Sequence, residues 1–170
     1  LRDENNDWLE KGKLLENYIS LLKKGEINPM IFILVSSGGD GQSWYSNFAI
    51  EKNYQYENYI IGELIPDIKI KFTESPLGIA GFSMGGYAAF KLGLKYIEIF
   101  KVIGSFSGAI NLIRMSVNRR VIRLFKFIYI PKFLFTDVDK KQFVRVFGSW
   151  GYKILKEDPY SMIKYMKEDK

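Results

Sequence analysis

Between Trp8 and Lys24 the apolar residues Leu14, Leu15, Tyr18, Ile19, Leu21 and Leu22 recur with helical spacing. That predicts one amphipathic helix covering a sheet, with Asp7 as its N-cap and Gly25 as its stop. The next apolar run is of a different kind. Met30-Ile31-Phe32-Ile33-Leu34-Val35 is continuous rather than alternating, the pattern of a strand buried on both faces of a parallel sheet. The loop that follows, Ser36 to Tyr45, is then expected at the carboxyl edge of the sheet, where ligands bind in open α/β folds. A second helix is predicted over 56–72, with Tyr59, Ile60, Leu64 and Ile68 inward and a kink at Pro66. Leu77-Gly78-Ile79-Ala80-Gly81-Phe82 reads as a short buried strand, a helix follows to about Tyr96, and 101–107 reads as a further strand. Strand and helix alternate, so the predicted class is α/β, a mostly parallel sheet covered by helices with right-handed crossovers.

The junction after Phe82 carries the chemistry. Ser83 stands between Gly81 and Gly85 in G-x-S-x-G spacing, with a strand before it and a helix after it. A strand that turns into a helix within a few residues strains the serine backbone and brings neighbouring main chain close, so glycine is expected at both flanks. Ser83 Oγ would project at the carboxyl end of the strand as a nucleophile. The N–H of Met84, at the positive end of the helix, could donate to an oxyanion forming on an attacked carbonyl. A small-residue turn with an incidental serine is the competing reading.

Length and composition, 170 residues with 47% hydrophobic and 26% charged, suit a single globular domain. No apolar stretch reaches the length of a membrane span. The absence of cysteine excludes disulfides and thiolate metal sites and leaves the redox compartment undetermined. The absence of histidine bears on mechanism, because a serine nucleophile normally takes its proton to one. The opening at Leu1 and the ending in Lys167-Glu168-Asp169-Lys170 both look cut, and the chain is read as a fragment. Charge is concentrated late. From Arg114 to Arg145 nine Lys/Arg face only Asp137 and Asp139, interleaved with Phe125, Phe127, Tyr129, Phe133 and Phe135. Such a stretch could touch an anionic membrane surface, but it contains no recognisable nucleic-acid module. A cap over the site within 112–147, its basic residues simply solvated, is favoured.

With these residues placed, the chain resembles the esterase D family of α/β-hydrolases, especially its tributyrin-esterase-like and feruloyl-esterase-like members, with S-formylglutathione hydrolases and mycolyltransferases as relatives. The resemblance rests on Gly39-Asp40-Gly41-Gln42-Ser43-Trp44-Tyr45, Tyr59-Ile60-Ile61-Gly62-Glu63-Leu64-Ile65-Pro66, Gly81-Phe82-Ser83-Met84-Gly85-Gly86-Tyr87 and Ser105-Phe106-Ser107-Gly108-Ala109, in family order over most of residues 8 to 110. It implies a partial three-layer α/β-hydrolase fold, Ser83 as the acylated nucleophile and Met84 as an oxyanion-hole donor. It also implies Leu1 as the second donor, and Trp44 and Tyr45 near the acyl pocket, where a packing role is equally open. Glu63 is read as structural. The resemblance places the catalytic acid and histidine beyond Lys170; Asp137 and Asp139 come too early for the acid.

The function these readings imply is a serine carboxylesterase acting on a small-molecule ester with a short acyl or carbohydrate-linked group, through an acyl-serine and without metal or organic cofactor. An acyltransferase of the same fold and a non-catalytic binding module are the alternatives. Residues 1–170 alone are expected to be essentially inactive, for want of the base.

Overall fold

The computed structural model describes residues 6–38, 41–73, 75–116, 129 and 140–168. They divide into two compact units, Leu1–Gln42 and Ser43–Lys170.

In the first unit the single helix expected from the apolar spacing is two: α1 (Asp7–Glu10) and α2 (Leu14–Lys23). The break falls at Lys13, whose φ of 48° is left-handed and interrupts helical hydrogen bonding. Asp7 is inside α1 rather than capping it; Asn6 precedes the helix, and Asp7 pairs with Lys11 at 2.9 Å. Of the expected inward face, Leu14, Tyr18, Leu21 and Leu22 are half-buried, an i, i+4, i+7, i+8 stripe, while Leu15 and Ile19 are exposed. Gly25 does end α2: its N–H reaches Leu22 O, the Glu26 N–H reaches Leu21 O, and φ is 72°. These are the paired bonds of a Schellman stop.

Met30–Val35, expected as a buried strand, is not a strand. A continuous apolar run becomes an inner strand only where neighbours take its backbone groups. Here the Met30 N–H donates to the Tyr18 hydroxyl at 3.1 Å, and Phe32 meets the Tyr18 ring edge-on at 5.1 Å. The run is irregular chain tied to α2 at Met30 and Phe32, with Met30 to Ile33 exposed.

The second unit is built around β1 (Leu77–Phe82), α5 (Met84–Lys95) and β2 (Phe100–Phe106). The preceding helical stretch is α3 (Tyr56–Tyr59), a π-helical turn (Ile60–Leu64) and α4 (Ile65–Lys71). Pro66 lies in the first turn of α4, where its missing N–H costs nothing, and the irregularity falls one turn earlier, with the Ile65 N–H on Ile60 O. That wide turn resets the face: Ile60, Ile65 and Ile68 are buried, whereas Tyr59, expected inward, is 48% exposed.

β1 and β2 pair in parallel, Ala80 beside Gly104 and Phe82 beside Phe106, so both strands end side by side. α5 crosses between them and packs on both. Ile103 lies over Gly93, where a Cβ would come within 2.5 Å of its side chain. Val102 and Phe106, on the other face of β2, are exposed. The chain continues through α6 (Leu112–Ser116), α7 (Lys140–Phe147), α8 (Gly151–Glu157) and α9 (Pro159–Glu168). Asp158 caps α9, accepting from Ser161 N at 2.9 Å and Ser161 Oγ at 2.6 Å, and also holds the Leu112 N–H at 2.7 Å. The core joins Phe48, Tyr87, Ala88, Leu112, Ile113, Val144, Val146, Phe147 and Ile154. Both ends of the 112–147 segment therefore belong to this core. Its middle, with most of the basic and aromatic residues, lies outside the described residues. Arg145 is not a simply solvated cation: it forms a two-pronged pair with Glu51, Nε to Oε1 at 2.6 Å and Nη2 to Oε2 at 2.7 Å. No described helix is long and apolar enough to cross a membrane.

Candidate active site

Ser83 occupies the junction of β1 and α5 with φ 53° and ψ −113°. A residue with a Cβ is disfavoured at such angles, by about 1–3 kcal/mol, and holds them only where the surroundings impose them. Here they are imposed from both sides. The Ser83 N–H donates to Phe106 O at 2.9 Å, and its carbonyl accepts the Tyr87 N–H at 3.0 Å as the first bond of α5. The side chain is exposed. Met84 opens the helix, so its N–H has no intrahelical acceptor.

The turn closes by contact of bare backbone. A Cβ on Gly81 would lie 2.2 Å from Gly85 C and O. One on Gly86 would lie 2.9 Å from Gly108 Cα, and one on Gly108 would lie 2.6 Å from Gly86 C. Ser105 Oγ donates to Gly86 O at 2.8 Å, tying β2 to the helix start. Gly85 departs from the expectation that both flanks need glycine, because a Cβ there meets nothing within 4 Å.

Trp44 and Tyr45 both have left-handed backbones, φ 53° and 49°. Trp44 is half-buried with its ring edge-on to Tyr87 at 5.4 Å and to Phe147 at 5.9 Å. Tyr45 packs against the same core, and burial pushes its phenol above the usual value. Leu1, Asp40, Asp137 and Asp139 lie outside the described residues. Glu63 is exposed on the π turn.

Two helical turns along α5 from Ser83 begins a group of charges that the sequence did not announce. Lys91 of α5 is fully buried, 2.8 Å from Glu57 Oε2 and 3.1 Å from Glu157 Oε2. Lys95, one turn on, reaches Glu57 Oε1 at 3.2 Å and Glu157 Oε1 at 2.7 Å. Burial works to raise the Glu57 carboxyl, but the two ammonium groups outweigh it and hold the pKa below the ordinary value. Burial lowers Lys95, and Glu157 and Glu57 more than reverse it, leaving it raised. The Tyr87 hydroxyl donates to Glu157 O at 2.9 Å, and burial drives its pKa well up. One signal was present in the sequence: Lys91 and Lys95 are four apart on a helix whose other positions are almost all apolar or small. Among the described residues no group of His, Cys, Asp or Glu could hold a metal ion.

The fold and this turn define a parallel β-α-β unit that presents a strained, exposed serine at the start of the crossover helix. Comparison with known families makes that more specific. Residues 1–160 match the family Esterase, described as "Putative esterase", and the chain belongs to that family. Among curated proteins it is similar to "Esterase MT1326" of Mycobacterium tuberculosis (strain CDC 1551 / Oshkosh) and "Esterase Rv1288" of M. tuberculosis (strain ATCC 25618 / H37Rv). Each is 35% identical over 94 residues, 51% of this chain and 20% of the relative. The chain thus spans about a fifth of the length of these relatives.

Proposed function

We propose that the chain carries the nucleophile-bearing part of a serine carboxylesterase, and that β1, α5 and β2 belong to the sheet of a three-layer α/β-hydrolase. The observation that carries this reading is the Ser83 backbone, φ 53° and ψ −113° between a strand and a helix, a conformation a merely connecting serine has no reason to hold. Ser83 Oγ gives its proton to a general base and attacks the carbonyl of a small-molecule ester, the Met84 N–H donates to the oxyanion, and the ester C–O bond breaks as the alcohol leaves with that proton. Water then releases the acyl group. Membership in the esterase family supports hydrolysis over simple binding. The base is not a histidine of these 170 residues, since they contain none.

The test compares residues 1–170 with the complete reading frame that encodes them, in p-nitrophenyl acetate hydrolysis and fluorophosphonate labelling. The complete chain should turn over and label at Ser83, and Ser83→Ala should remove both. Residues 1–170 alone should be slower by up to about 10⁶, the loss seen when a serine hydrolase is deprived of its histidine. Comparable turnover in the two would show that the 170 residues hold their own base. Inactivity of the complete chain would count against the esterase reading and for a binding module.

A further inference from the structure

β2 ends as β1 does, in a phenylalanine followed by a serine. Phe82 pairs with Phe106, and the Ser83 N–H carries the ladder one step further by donating to Phe106 O at 2.9 Å. Ser107 therefore lies opposite Ser83 at the spacing of paired strands, about 4.8 Å. It shares two properties with Ser83: a left-handed backbone, φ 50°, and an exposed side chain. The backbone angle has a structural cause, since Gly108 passes so close to Gly86 that a Cβ on either would meet the other's main chain. Glycine would hold that angle at Ser107 without strain, so the close approach explains the conformation and not the serine. Nor does the fold use the hydroxyl. Ser105 Oγ, two residues earlier, is spent on Gly86 O at 2.8 Å, whereas Ser107 Oγ has no hydrogen-bond partner among the described residues. A strained residue whose side chain the fold leaves idle, beside a second strained serine, points to contact with a ligand.

The chemistry of an ester narrows that contact. Once Ser83 Oγ has attacked, the reacting carbon carries the former carbonyl oxygen, the acyl chain and the alcohol oxygen. The Met84 N–H, on the α5 side of Ser83, serves the first, and a simple acyl chain offers no acceptor. The alcohol oxygen remains, and it gains negative charge as its bond to carbon breaks. We propose that Ser107 is a substrate-contacting residue of this site, its hydroxyl donating to the alcohol oxygen of the ester as the C–O bond breaks. The proton that the departing alcohol finally carries is the one the general base took from Ser83; the Ser107 proton stays on Oγ. The proposal rests on the esterase reading for its substrate.

The experiment uses the complete chain and reads kcat/KM, which covers acylation through departure of the alcohol, on the acetates of p-nitrophenol, trifluoroethanol and ethanol. Ser107→Ala removes the hydroxyl and keeps the strained Cβ, and Ser107→Gly removes both. p-Nitrophenoxide is a stable anion that needs little help to leave, and ethoxide needs much. Both variants should widen the preference for p-nitrophenyl over ethyl acetate by about 10², the scale of one lost donor to a developing oxyanion, with trifluoroethyl acetate between. Ser107→Gly should melt at or above the parent, because glycine is at ease at that φ. An unchanged preference in both variants, or an equal loss on all the acetates, would overturn the proposal while leaving the esterase reading standing. So would a Ser107→Gly that melts well below the parent, because the side chain would then be a support of the fold. Hydrolysis that survives Ser83→Ala would remove the esterase reading, and the Ser107 contact with it.

Discussion

At the scale of single residues, the two glycines of G-x-S-x-G do different work. Gly81 is needed by the fold: a Cβ would sit 2.2 Å from the Gly85 backbone, which cannot give way without moving the helix start. Gly81→Ala should therefore lower the melting temperature and abolish labelling of Ser83 together. A Cβ on Gly85 meets open space, and alanine in a helix is worth about 0.5–1 kcal/mol over glycine. Gly85→Ala is thus expected to melt at or above the parent temperature. A large drop in melting temperature for Gly85→Ala would contradict this division. The strand-to-helix turn at Ser83 was legible in the sequence from Gly81 and the flanking patterns, whereas the bond that pins it from β2, Ser83 N–H to Phe106 O, was not. Nor were Ser46, Glu57 and Glu157. They matter through contacts with Lys91 that join segments far apart in sequence, and no local pattern carries such a pairing.

Among elements, those whose partners are supplied nearby were readable. β1, α5 and β2 follow one another, and each buries its apolar side against the next. The π-helical turn was hidden because Pro66 marks a disturbance without saying which side of it the backbone will yield; the helix widens before the proline and exchanges Tyr59 for Ile65 on the buried face. Met30–Val35 shows the converse limit. Its composition suits an inner strand, but a strand is a property of a pair, and this segment uses its first amide on Tyr18. Hydrogen exchange followed by mass spectrometry should separate the two cases. The alternate β1 amides that the parallel ladder bonds to β2 should exchange far more slowly than those of Ile31–Ile33. Equal protection would mean that Met30–Val35 pairs as a strand after all.

For the Ser43–Lys170 unit as a whole, the Glu57, Glu157, Lys91 and Lys95 group joins α3, α5, α8 and the Trp44 turn, so stability should depend on its protonation. Glu57 has a folded pKa below its ordinary value of 4.5, and its ionised form therefore stabilises the fold. That contribution is complete above the unfolded value and is lost as pH falls through the folded one. Lys95 is raised above 10.5, so its contribution is complete below that value and is lost as pH rises through the higher folded value. Asp158 acts in the opposite sense. Burial raises its pKa above 3.8, against the bonds from Ser161 and Leu112, and its ionisation takes stability away as pH rises from 3.8 through the folded value. The acid limb is consequently a difference between two groups, each able to contribute a slope of at most about 1.4 kcal/mol per pH unit. Melting temperatures followed by circular dichroism from pH 3 to 8 can resolve them. Glu57→Gln should lower stability at neutral pH and flatten the loss below pH 4.5. Asp158→Asn, which removes the titration but leaves one oxygen for donors that now use two, should lower stability overall and steepen the rise just above pH 3.8. An acid limb unchanged by Glu57→Gln would show that ionised Glu57 does not contribute to stability, and that Lys91 and Lys95 are balanced by Glu157 instead.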